Sequence, residues 1–468
     1  MTSLPNPTGR PAPGSGSVAA VSGRPAPGTA PRAGTPVPAV VELGGPGAAP
    51  FRPGPRRDDD RLVAVSSVVI AAGYLATAVL AAAAVAVPGS TLPAWLPLHL
   101  ALAGGASTAI AGVMPFFAAA LVAGHPADRR VRWAAVLLVA AGAALVSLRG
   151  VVTAATALPP LGGTLYLAGI GCTALALRGA GRRGLMVRRP VVSLAYALAL
   201  ANVAVGASLG TLFAAGWVPV VERWGLLKPA HAWTNLIGFV SLVITGTLLH
   251  FLPTVVGARI VARRSAILSV LGLALGSPLV VAGFALGSWA VASGGALLTF
   301  IGTWSLVAET ATTVRARGRW TTDPGWHRVS GAGLVLGAFW FAGGVTIASL
   351  LVLDRGAVPE AWSTQLVGVP LAIGWVVQVL IGAWTHLLPA IGPGGPVLHA
   401  RRRVILGRLA TPRILALNGG ALLAAVGWPA GIAELAVPGV LLVGSAVLAS
   451  GALAVVALRQ RLPVPARP

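Results

Sequence analysis

The sequence predicts an all-α integral membrane protein of about twelve transmembrane helices. Three observations carry that prediction. The 468 residues are 56% hydrophobic and only 10% charged, and apolar runs of ~20 residues, long enough to cross a bilayer, recur along the chain. The basic residues fall in alternate gaps between those runs. One apolar segment, finally, occurs in related form three times.

Residues 1–60 come first, with 13 Pro, 10 Gly and the hexamer GRPAPG at Gly9–Gly14 and again at Gly23–Gly28. Such a stretch cannot bury enough apolar surface to offset its ordering entropy, so it is expected to be a disordered cytoplasmic tail. The membrane domain is expected over 61–459, followed by a short basic tail, 460–468. Its predicted spans are 62–87, 98–123, 133–152, 161–178, 191–217, 230–256, 266–286, 289–313, 329–353, 365–391, 414–430 and 436–458.

The N-terminal and C-terminal tails and the gaps after even-numbered spans, with Arg178 at the end of span 4, hold 30 of the 34 Lys and Arg residues. The gaps after odd-numbered spans, with the span ends beside them, hold four: Arg149, Arg223, Lys228 and Arg355. By the positive-inside rule both termini are then cytoplasmic. The net charge of +23 is therefore topological information. It excludes a nucleic-acid partner and points to the lipid bilayer, with anionic lipids on the cytoplasmic face. The location expected is a bacterial-type cell membrane, crossed many times. The single cysteine, Cys172, rules out an internal disulfide and a CxxCH haem attachment.

The repeated segment is clearest at His231–Gly257. Ile237, Gly238, Val240, Val243, Gly246, His250, Leu252 and Pro253 recur 136 residues on as Ile373, Gly374, Val376, Val379, Gly382, His386, Leu388 and Pro389. A fainter copy lies at Leu98–Phe117, where Gly104 and Gly112 match Gly238 and Gly246 and Phe116 stands for His250. These are spans 2, 6 and 10. Their spacing predicts three four-helix arcs, spans 1–4, 5–8 and 9–12, related by a pseudo-threefold repeat.

Histidines within a membrane are costly and usually functional. His125, His327 and His399 fall in basic gaps beside Arg129, Arg328 and Arg401 and read as solvated loop residues. His99 opens span 2 and His231 opens span 6, near the outer face. His250 and His386 lie deep in spans 6 and 10, near the cytoplasmic side. His231 and His250 are ~28 Å apart along one helix at 1.5 Å per residue, so they belong to two separate levels. The outer pair, His99 and His231, is the candidate metal site, and all four histidines are candidate cofactor ligands.

At the inner pair two readings stand. Gly246 and Gly382, one turn before each histidine, leave room for a flat macrocycle or a neighbouring helix. Pro253 and Pro389, one turn after, strand the carbonyls of Leu249 and Thr385, which a histidine N–H could satisfy. Asn235, one turn after His231, is placed to orient its ring. Glu309, near Arg315 and Arg317, reads as a snorkelling ion pair. Trp95, Trp217, Trp224, Trp289 and Trp362 suit an interfacial belt. No nucleophile triad, Walker loop or dinucleotide fingerprint is present, so no catalytic residue is assigned and enzymatic activity stays open.

Twelve spans in three arcs, with histidines on spans 2, 6 and 10, resemble subunit I of the haem–copper oxidases. The segment HAWTNLIGFVSLVITGTLLHFLPT, with His99, Gly104 and Gly112 on span 2, resembles more closely the NnrS-type haem- and copper-containing membrane proteins and the membrane domain preceding some copper nitrite reductases. The resemblance covers about residues 62–458. It implies haem and/or copper as cofactor, a role in nitric-oxide, copper or respiratory metabolism, and a redox protein or copper nitrite reductase as partner. Span 10 has no His-x-His in its outer half, where Val367–Gly374 stands, and span 7 has no histidine. The resemblance therefore implies neither an oxygen-reducing binuclear centre nor a proton pump. The alternatives are a transporter or permease for a small neutral solute, which internal repeats with Gly- and Pro-broken spans would suit, and a non-catalytic assembly subunit.

Overall fold

The computed structural model describes residues 55–85, 87, 89–121, 126–152, 156–182, 190–261, 263–317, 322–355 and 364–460. The tail assigned to 1–60, apart from its last residues, and positions His125, Trp362 and 461–468 lie outside them. Among the described residues the regular structure is entirely helical. Eleven helices are long and apolar enough to cross a membrane: α1 (Arg61–Val85), α2 (Leu96–Ala119), α3 (Arg129–Leu148), α4 (Leu158–Ala180), α5 (Pro190–Ala214), α6 (Trp224–Val256), α7 (Arg264–Leu286), α8 (Trp289–Arg317), α9 (Gly325–Asp354), α10 (Leu366–Ile391) and α12 (Ala433–Leu458). The twelfth, α11 (Ala410–Ala430), qualifies together with the preceding helix Pro396–Leu406, from which it bends by 50°. Large apolar side chains such as Leu80, Leu175, Leu275 and Leu441 point outward from the bundle, as a lipid-facing surface requires.

The three related helices form the centre. Within their most apolar windows α6, α10 and α2 are 89%, 78% and 72% buried, and no other spanning helix exceeds 56%. Each switches to π-helix at the same register, over Leu100–Ala106, Thr234–Ser241 and Val369–Val377. These three segments touch one another. A π turn carries one residue more than an α turn and strands a backbone carbonyl. Ser107 and Ser241, at equivalent places, donate to the carbonyls five residues back, Leu102 (2.9 Å) and Leu236 (2.7 Å). Each serine in turn accepts from a neighbouring helix: Ser107 from Tyr166 of α4 (2.7 Å) and Ser241 from Trp375 of α10 (3.0 Å).

The repeated glycines have one shared role. A Cβ on Gly104 or Gly112 would collide with Tyr74 or Ser67 of α1. On Gly238 or Gly246 it would lie 2.8 Å from Asn202 Cγ or Ala195 Cβ of α5. On Gly374 it would run into the Trp340 ring of α9, and on Gly382 it would lie 3.1 Å from Gly333 Cα. In each copy, then, the glycines seat a central helix against the helix immediately before it in the same unit: α2 on α1, α6 on α5, α10 on α9. The room foreseen beside His250 and His386 for a macrocycle is filled by helix packing, as small residues at membrane helix contacts allow.

The remaining pairs echo one another too. Helices α3 and α4, α7 and α8, and α11 and α12 each pack closely along glycine contacts. Two of these hairpins turn identically. Gly287 (φ 64°) and Gly431 (φ 69°) sit left-handed past the helix end, with Ser288 N donating to Gly283 O and Ile432 N to Gly427 O, both at 2.8 Å. Glycine is the residue that adopts this turn without a Cβ clash.

Candidate functional site

The structure brings the outer pair together. His99 lies on the last α-helical turn before the π segment of α2, and His231 lies one turn before that of α6. Their ring centroids are 6.2 Å apart and their planes lie within 14° of parallel. His99 Nδ1 is 3.2 Å from the Trp95 carbonyl and His231 Nδ1 is 2.8 Å from the Gly206 carbonyl of α5. A carbonyl only accepts, so each Nδ1 carries the proton and each Nε2 keeps a lone pair. That is the arrangement in which a backbone carbonyl fixes the tautomer of a metal-ligating histidine.

The cradle of His231 is built by spacing. Gly206 and Gly210 lie one turn apart on α5, opposite His231 and Asn235, one turn apart on α6. A Cβ on Gly210 would lie 2.8 Å from His231 Cε1, and one on Gly206 would lie 2.6 Å from Asn235 Nδ2. Asn235 Nδ2 donates to the His231 carbonyl (2.7 Å) and approaches its Nδ1 at 3.4 Å, so the amide does abut the ring as expected. Trp95 meets His99 edge-on at 4.8 Å, and Trp224, stacked on Phe213 at 3.9 Å, lies 5.9 Å from His231.

The inner pair is arranged differently. His250 meets Phe117 at 5.3 Å, Phe117 meets Phe251 at 5.5 Å, and Phe251 meets His386 at 5.6 Å. The two phenylalanines therefore link the histidines edge to face, and among the described residues no ring contact joins them directly. Trp326 lies 5.5 Å from His386 on another side, with the Arg403 guanidinium 5.1 Å from the Trp326 ring centre. His386 Nδ1 is buried without a hydrogen-bond partner, so it does not serve the carbonyl of Thr385 that Pro389 strands.

Three smaller expectations are corrected at this end of the bundle. His327 is no solvated loop residue. It sits in the first turn of α9, donates from Nδ1 to Asp323 Oδ2 (2.6 Å) and meets the Val255 carbonyl at the end of α6 through Nε2. Arg317 also binds Asp323, at 2.7 Å, so the group ties α8, α9 and the C-terminus of α6. His399 lies half-buried on the helix Pro396–Leu406, in a segment read from sequence as a loop. Glu309 does form an ion pair, but with Arg263 (2.6 Å) at the start of α7 and with Ser265 (2.5 Å), rather than with Arg315 or Arg317.

Among the described residues no group of three or more His, Cys, Asp or Glu is arranged to hold a metal ion. The chain matches no protein-family model and no curated protein.

Proposed function

We propose that this multi-pass membrane protein binds a metal ion, copper by preference, between His99 and His231, in nitric-oxide, copper or respiratory metabolism and without proton pumping. The observation that carries the reading is the approach of two imidazoles, centroids 6.2 Å apart, whose Nδ1 atoms both meet backbone carbonyls. Two nitrogens each ~2.0–2.1 Å from one ion place the ring centres roughly 6 Å apart, which is the separation found. Imidazole suits copper, iron and zinc, and a neutral pair with no carboxylate favours copper(I), which accepts two ligands. Haem iron is the other ion that a pair of imidazoles ligates. Bound copper would supply one-electron chemistry. The chain's own residues do the rest: the Trp95 and Gly206 carbonyls hold the rings, Asn235 blocks rotation of His231, and Trp95 and Trp224 shield the mouth.

The same reading takes α1–α4, α5–α8 and α9–α12 as three arcs with both termini cytoplasmic, supported by the segregation of basic residues and the matched pairing of helices within each unit. Metal analysis and an optical spectrum of protein expressed with copper and haem supplied test the function. Protein free of both metals would end the reading. Orientation is tested separately, in a Cys172→Ser background. An impermeant thiol reagent added outside is expected to reach Ala94→Cys and Ala433→Cys but not Ala400→Cys; the opposite pattern refutes the orientation.

A further inference from the structure

The third unit has no histidine at the outer mouth of its central helix; it carries a buried polar cluster instead. Gln378, directly after the π segment of α10, faces Asn418 of α11, and both line a small cavity with Arg413 and Ser450. Gln378 is 1% exposed and Arg413 4%. Hydrogen bonds fix the orientation of every group here. Trp340 Nε1 only donates, and it donates to Asn418 Oδ1 (2.9 Å). Asn418 Nδ2 donates to the Ile414 carbonyl (2.9 Å). The Gln378 atom 3.1 Å from Asn418 Oδ1 must therefore be its N–H group, which turns Gln378 Oε1 away with no partner. Arg413 donates from Nε to Ser450 Oγ (3.1 Å) and from Nη1 to the Leu406 carbonyl (2.9 Å), where it caps the helix Pro396–Leu406. Its Nη2 has no partner. Ser450 is complete, since it also donates to Ala446 O (2.6 Å).

The cluster thus has one acceptor and one donor unused, both buried, on the wall of one cavity. A buried polar atom left unpaired is costly. The cavity gives the centre of a water-sized sphere about 10 Å³, which is about what one water needs. We infer that it binds a single ordered water, which donates to Gln378 Oε1 and accepts from Arg413 Nη2. An anion would complement Arg413 but would meet the lone pairs of Gln378 Oε1, whose orientation Asn418 and Trp340 lock. The water completes a hydrogen-bonded chain from the carbonyls that end the helix Pro396–Leu406, through Arg413, Gln378 and Asn418, to Trp340 against Gly374. The indole has no acceptor, so the chain stops there. It binds α9, α10, α11 and α12 together and does not conduct protons across the bundle.

An experimental high-resolution map of the full chain tests this. One isolated peak is expected within ~2.7–3.2 Å of both Gln378 Oε1 and Arg413 Nη2, absent in Gln378→Met and without anomalous signal after a bromide soak. An empty cavity, a peak that survives Gln378→Met, or bromide at the position would each overturn the inference. The wild-type map and the soak decide the matter by themselves if Gln378→Met does not fold.

Discussion

The outer and inner histidine pairs use the same residue type on the same central helices, yet their surroundings differ in kind. At His99 and His231 the two rings face each other at 6.2 Å, and backbone carbonyls hold the nitrogens that point away. At His250 and His386 two phenylalanines fill the space between, and Trp326 covers His386. A histidine becomes a ligand through what occupies the gap and what fixes its other nitrogen. Position on a repeated helix supplies neither.

The largest expected effect follows from that contrast. On the proposed reading His231→Ala or His99→Ala removes one of two ligands and should abolish copper binding, measured as metal per protein. His250→Ala and His386→Ala should leave the stoichiometry unchanged. Loss of copper from the inner variants alone would invert the comparison.

Next in size is the glycine test. Gly210→Leu pushes into the His231 ring and should weaken copper binding by ~10–100-fold, the usual scale for disturbing groups that orient a ligand. Gly246→Leu meets Ala195 instead. It should cost stability, ~1–3 kcal/mol for overpacking, with copper content unchanged. Thermal unfolding and metal titration on the two variants separate these outcomes. Equal copper loss in both would show that the inner glycine also clears room for a cofactor.

Much of this was legible in the sequence, and the reasons for the rest are physical. The spans and the central trio followed from hydropathy and from a repeat anchored on Gly and His, because bilayer thickness and close helix contact constrain residue type directly. The pairing of His99 with His231 followed from their place at the mouths of related spans. What holds them did not, since the Trp95 and Gly206 carbonyls belong to backbone that any residue supplies; the spacing Gly206–Gly210 in span 5 was the one available signal. The π segments were hidden because their apolar pattern fits either helix type. His327 was misread because a basic neighbour, Arg328, suggested solvent, whereas Asp323, four residues earlier, was the informative partner.

A third expected effect concerns the strut at the inner end. His327→Ala removes one bond from the Val255 carbonyl and one from Asp323, which keeps Arg317, and should destabilise the fold by ~1–3 kcal/mol, the cost of stranding a buried polar group, with copper binding intact. Thermal unfolding checks it. An unchanged melting temperature would mean that water replaces the imidazole.

The smallest expected effect is the most informative about the inner pair. If His250 and His386 formed a site of their own, removing both would differ from the sum of the single losses, by ~0.5–3 kcal/mol for residues in direct contact. The ring geometry argues against that. His386 touches Phe251 and Trp326, His250 touches Phe117, and among the described residues the Phe117–Phe251 contact connects the two sets. A double-mutant cycle on His250→Ala and His386→Ala should therefore give a coupling below ~0.5 kcal/mol. The same cycle on Phe251→Ala and His386→Ala should give the larger coupling, because those rings meet edge to face, an arrangement worth ~0.5–1.5 kcal/mol between aromatic partners. The reverse order of couplings would place the two histidines in one energetic unit despite the phenylalanines between them, and would make the inner level a site in its own right.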